Sequence, residues 1–141
     1  MTCTINHIAE RTADMNKYAD RISALAIGDG VTVSVWTDCE AYTVIKRTAT
    51  TMTLREDKAT RSPDFKPEFI AGGFAGHCVN QNEQTYIYET DPTGPTIKVS
   101  LRRWADEEGN ERRRWKRVGI GKFERGGNVY PGRSKFHDYN F

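Results

Sequence analysis

The sequence predicts a mainly β protein of the α+β kind, with an N-terminal amphipathic helix followed by an antiparallel β-barrel-like domain. Three observations predict it. Apolar residues recur at helical spacing only near the N-terminus. After Gly28 the period changes to two, in several short runs. Turn residues separate those runs at close intervals, which forces hairpins and therefore antiparallel pairing. At 141 residues the chain fits one domain able to bury a sizeable core. The expected division is a helix over 1–27 and a single barrel-like domain over 28–141.

The helix is predicted over residues 5–26. Ile8, Met15, Tyr18, Ile22 and Leu25 form its apolar stripe, and Arg11, Asp14, Lys17, Asp20 and Arg21 its wet face. Thr4 is the expected N-cap and Gly28 the expected stop. The stripe either packs on the protein's own sheet or docks on a second subunit. Val31, Val33 and Val35 then alternate with Thr32 and Ser34 as a half-buried strand. Residues 41–46 and 50–56 are the next two strands, the latter with Met52 and Leu54 inward. Residues 57–68, polar and carrying Pro63 and Pro67, are an excursion without regular structure. Residues 84–89 form a strand, and Asp91-Pro92-Thr93-Gly94-Pro95 is a turn signature. Residues 96–103 alternate again, with Ile97, Val99 and Leu101 inward. A turn at 106–110 leads to a strand over 113–118. Gly126-Gly127-Asn128 breaks the chain, and 128–130 and 134–139 are expected as a short final pair. The opening Gly28-Asp29-Gly30-Val31, with two further strands close behind, resembles the start of small SH3-like or Tudor-like barrels. The glycine-rich stretch serves as an elaborated loop, and the last strands are C-terminal additions.

Net charge is +2, so bulk electrostatics do not point to nucleic acid. No apolar run approaches the ~20 residues of a membrane-spanning helix, and a signal-peptide core is absent, so a cytoplasmic protein without membrane partners is expected. Cys3, Cys39 and Cys78 are odd in number and irregular in spacing, which predicts reduced thiols. Their spacing to His7, His77 and His137 matches no metal motif, so no metal or other cofactor is expected. No nucleophile elbow, metalloprotease helix or Walker loop is present. Asp138 beside His137, or His77 with His137, are the nearest approach to acid–base chemistry. A non-enzymatic protein is predicted.

The candidate binding region is Pro63–Tyr88. Gly72, Gly73 and Gly76 surround Phe74, and backbone N–H groups there can approach a phosphate closely. Arg55, Lys66, Arg102 and Arg133 are the candidate phosphate partners. Tyr86, with Tyr88, Trp36 and Trp115, is a candidate base-stacking residue. The C-terminal PGRSKFHDYNF is too aromatic for a disordered tail. Phe136, Tyr139 and Phe141 are expected to be at least partly buried, bringing Arg133 and His137 toward the glycine-rich loop, where His77 lies. A second candidate surface is the strand Arg112–Arg117, on which Arg112, Arg114 and Lys116 share one face and could track a nucleic-acid backbone. Acidic residues at 106–111 would instead neutralise it across the hairpin.

The segments at 56–60 (EDKAT), 64–78 (DFKPEFIAGGFAGHC), 80–89 (NQNEQTYIYE), 100–103 (SLRR) and 131–141 are similar to a widespread family of small, mostly uncharacterised proteins of tailed bacteriophages. The resemblance covers about residues 28–141 and brings no catalytic residues with it. It implies a phage accessory protein acting in host cytoplasm. The expectation drawn from it is an anti-defence sponge that sequesters a phosphate-containing ligand, such as a cyclic nucleotide immune signal. The alternatives are a nucleic-acid-binding small barrel, or an inhibitor of a host protein acting through the N-terminal helix. Homo-oligomerisation would use the same helix.

Overall fold

The computed structural model describes residues 15–71 and 76–140. One α-helix, α1 (Met15–Ser23), precedes ten strands: β1 (Gly30–Val35), β2 (Asp38–Arg47), β3 (Thr51–Glu56), β4 (Lys58–Arg61), β5 (Phe69–Ile70), β6 (His77–Cys78), β7 (Tyr86–Glu89), β8 (Thr96–Ala105), β9 (Glu111–Arg117) and β10 (Val129–Pro131). Six of them form one antiparallel sheet in the order β10-β1-β2-β3-β8-β9. Its two edges nearly meet. Lys116 of β9 bridges to Asn128, and the Arg117 N–H donates to the Gly127 carbonyl at 2.9 Å. The sheet is thus an almost closed barrel, which leaves little exposed strand edge.

Alternation places the barrel core. Val31, Val33, Tyr42, Val44, Met52, Leu54, Val99, Trp115 and Val129 point inward and are buried, with Ile97 and Leu101 partly so. Helix α1 adds Ala19 and Ile22 to the same cluster. It packs on β9 and β10: the Trp115 indole N–H donates to Ser23 Oγ at 2.9 Å, Tyr18 meets Tyr130 edge to face, and Asp20 pairs with Arg113 at 3.0 Å. The described part of the stripe therefore packs on the protein's own sheet. Residues 5–14, and Thr4 with them, lie outside the described residues.

Several expectations are corrected. The helix ends at Ser23, short of the expected 26, so Gly28 is not its stop. Gly28, at φ 98°, instead turns the chain so that its N–H reaches the Val44 carbonyl at 2.8 Å. Val35 does not continue the inward face and is exposed at the end of β1. The 57–68 excursion contains a strand after all. Residues Lys58–Arg61 pair with Tyr86–Glu89 in a separate two-stranded ribbon. Their sequence KATR has no inward apolar face, so no period marks it. The expected final pair does not form either. β10 pairs with β1, and the 134–139 segment makes a single bridge, Cys39 to Phe136.

Candidate functional site

The outer face of β1 and β2 is not solvent-facing, because the C-terminal segment 132–140 lies across it. The Thr32 hydroxyl donates to the Gly132 carbonyl (2.7 Å) and accepts from the Ser134 N–H (2.8 Å), and Thr32 is fully buried. The Phe136 backbone exchanges both hydrogen bonds with Cys39. Gly30 makes room for the crossing, since a Cβ there would stand 2.5 Å from Arg133 Nη1. A polar strand face thereby gains partners for every donor it buries, as burial requires.

Arg133 is the pivot of this cover. Its Nε donates to Asp57 Oδ2 at 2.6 Å, and its Nη2 donates to Thr43 Oγ1 at 2.8 Å. Thr43 in turn donates to Asp57 Oδ1 at 2.6 Å. The Asp57 side chain is 1% exposed, so its charge is met almost entirely by Arg133. Beside this triad opens a cleft of about 300 Å³ lined by Thr43, Ile45, Arg55, Asp57, Asp91 and Pro92. Arg55 and Thr43 are directly opposed on β3 and β2. Arg55 Nε is buried and has no hydrogen-bond partner. The Thr93 N–H, then its hydroxyl, and to a smaller extent Lys58 and Arg55, hold the Asp91 carboxyl below its ordinary value. With Asp57 committed to Arg133 and Asp91 to its own turn, the Arg55 guanidinium is the group on the wall with donor capacity to spare.

Lys135 continues the cover. Its ammonium pairs with Glu40 at 2.6 Å and lies 5.8 Å from the Tyr86 ring centre, while its N–H donates to the Tyr88 hydroxyl. Burial, then the neighbouring Tyr139 and Tyr88, push the Tyr86 phenol up to about 12. Further on, His137 stands 3.7 Å from Asp38 Oδ2, with Tyr139 edge-on to it at 4.6 Å. The carboxylate facing this imidazole is therefore Asp38. Adjacent Asp138 turns away and caps the Asn140 N–H at 3.0 Å.

The tail does reach the Pro63–Tyr88 region. Asn140 grips both backbone groups of Cys78, Tyr139 packs against Phe65 and Phe69, and Gln84 bonds both backbone groups of His137. Phe136 is buried and Tyr139 half-buried, while Phe141 lies outside the described residues. The predicted residues do not form one site. Arg55 and Arg133 both flank Thr43, Arg133 donating to its hydroxyl and Arg55 being its cross-strand partner. His137 sits at the far end of the tail, and His77 is exposed on β6. Lys66 is exposed, and its carbonyl accepts from Asn80. Gly72, Gly73 and Phe74 lie outside the described residues. Arg102 is elsewhere, on the outer face of β8, donating to Ser100 Oγ and to the Ile120 and Arg117 carbonyls.

The basic strand β9 divides in two. Near the hairpin tip, Arg112 pairs with Asp106 (2.9 Å), Arg113 with Asp20 and Glu111, and Arg103 with Glu111. Farther along, Arg114 donates to the Lys122 carbonyl. Lys116 is wholly buried, its ammonium held by the Glu124 and Gly126 carbonyls and Asn128 Oδ1. It points from the face proposed to track a backbone into the 118–127 loop, so its charge is spent on that loop. Cys39 and Cys78 are both buried, and neither forms a disulfide with a described residue. Among the described residues no three His, Cys, Asp or Glu side chains converge as metal ligands, and no helix is long and apolar enough to cross a membrane.

Thr43, Asp57, Glu40 and Lys135 were not foreseen as parts of a site. Thr43 carried one weak signal, a polar residue at a position where the strand pattern turns a side chain outward. No family model, curated protein or solved structure matches the chain.

Proposed function

We propose that this protein is a non-enzymatic binder that sequesters a small phosphate-containing ligand in the Arg55 cleft. The observation that carries the proposal is the buried, unpartnered Nε of Arg55 on the wall of a cleft of about 300 Å³, a volume at the lower end of small-molecule sites. A buried donor without an acceptor is costly. A phosphate seated in the cleft would meet the Arg55 guanidinium in its preferred planar geometry. Ile45 and Pro92 offer apolar contact for the remainder of a nucleotide, and the Thr43 hydroxyl lies within the same wall. The resemblance to tailed-phage accessory proteins supports a cyclic nucleotide immune signal as the ligand, and hence an anti-defence sponge in host cytoplasm. The return of the last sheet strand to pair with β1 supports assigning the barrel to the SH3-like class.

Calorimetry against a panel of cyclic mono- and dinucleotides tests the proposal. Binding by at least one member is expected, with Arg55→Gln weakening it tenfold or more. No heat with any member at micromolar protein, or full affinity in Arg55→Gln, refutes it.

A further inference from the structure

Trp36 is the first of the two residues turning β1 into β2, and it is the described non-glycine residue with positive φ, at 54°. Two-residue hairpins fill that position with Asn, Asp or Gly, because a side chain there is strained. Trp36 gains little burial in return, since 67% of it is exposed. Strain that packing does not repay points to function.

The surroundings of Trp36 state what the function would need. Its neighbours in a cleft of about 80 Å³ include Arg117, Ile120 and Arg125. The same 118–127 loop carries Phe123, 74% exposed and edge-on to Trp104 at 5.5 Å. Lys122 Nζ lies 5.3 and 5.2 Å from those two ring centres. Arg117, Lys122 and Arg125 form no ion pair with a described carboxylate, whereas the arginines at the other end of the hairpin do. Glu124 is the one acidic residue between 117 and 127. Two exposed aromatic platforms joined by a cationic loop match the alternation of bases and phosphates in a single strand.

We infer that the β1–β2 turn and the 118–127 loop form a binding strip for single-stranded nucleic acid. Bases stack on Trp36 and Phe123, and phosphates lie along Arg117, Lys122 and Arg125. A duplex, with its bases already stacked inside, offers no partner to the rings. The strip shares no residue with the Arg55 cleft, and neither proposal needs the other.

The test is fluorescence anisotropy of labelled oligo-dT and oligo-U, with a blunt-ended duplex of equal charge for comparison. Micromolar binding of a single strand is expected, weaker on the duplex, and falling with salt. Trp36→Gly and Phe123→Ala should each weaken binding about tenfold, as loss of one stacked base does. Trp36→Gly should meanwhile keep or raise the melting temperature, because glycine relieves the turn. Lys122→Ala with Arg125→Ala should flatten the salt dependence by about 1.4 in log–log slope, about 0.7 per phosphate contact. Absence of binding at low salt, equal binding of the duplex, or full affinity in both aromatic variants overturns the inference. Binding of DNA alone, RNA alone or both sustains it.

Discussion

Replacing Arg133 with Met tests whether one buried ion pair holds the C-terminal cover on the barrel. The substitution keeps most of the aliphatic stem and removes two bonds, to Asp57 at 2.6 Å and to Thr43 at 2.8 Å. It leaves a carboxylate whose side chain is 1% exposed. Breaking a buried pair from one side costs about 3–5 kcal/mol, since the remaining charge is uncompensated. Two features place the expectation at the lower end. The Arg133 side chain is 29% exposed, and Thr43 still donates to Asp57. A loss of about 3 kcal/mol is therefore expected. With a urea m-value of about 2 kcal/mol per M for a domain of this size, the midpoint should fall by about 1.5 M at unchanged m. Asp57→Asn should be destabilising too, and the double variant should be less destabilised than the sum of the two. Coupling above about 1 kcal/mol is expected for groups in direct contact. Additive single effects, or a midpoint shift below about 0.5 M, would refute the reasoning.

Lys116→Met should strip the 118–127 loop of its anchor, leaving the Glu124 and Gly126 carbonyls and Asn128 Oδ1 without their donor. A loss of about 2–4 kcal/mol is expected, a fall of several degrees in melting temperature. Hydrogen exchange should rise first at the Arg117 and Gly127 amides, and an unchanged exchange pattern would count against the anchor. Burial, then Glu56, pushes the Tyr42 phenol up to about 12, and burial raises Tyr86 to the same value, against 10.0 ordinarily. Both groups hold their protons more tightly folded than unfolded. Their contribution to stability is thus complete below pH 10 and is lost as pH rises from 10 toward 12. Burial raises the Tyr88 phenol as well, so ultraviolet titration of phenolate absorbance should show at least three of the six tyrosines ionising late, with unfolding following, and uniform ionisation near pH 10 in the folded protein would contradict the burial of these rings.

The alternating runs were legible because a period of two is a local property. Val31 and Val33, Met52 and Leu54, and Ile97, Val99 and Leu101 each declare which side of a strand faces the core. The turn chemistry at 91–95 and 106–110 was equally local, and the aromatic density of the last residues announced that the tail is held down. β4 was invisible because KATR is exposed on both faces and forms only by pairing with distant β7. Two features of the candidate sites lay beyond any window of sequence. Arg55 and Arg133 are far apart in the chain and flank the same Thr43 only because the tail crosses β1 and β2 at Gly30. Lys116 looks like any other cation of the run Arg112–Arg117, yet closure of β9 onto residue 128 buries it completely. Residue type and period set which side chains seek the core, whereas barrel closure and the path of the tail, both long-range, decided which charges are spent on structure.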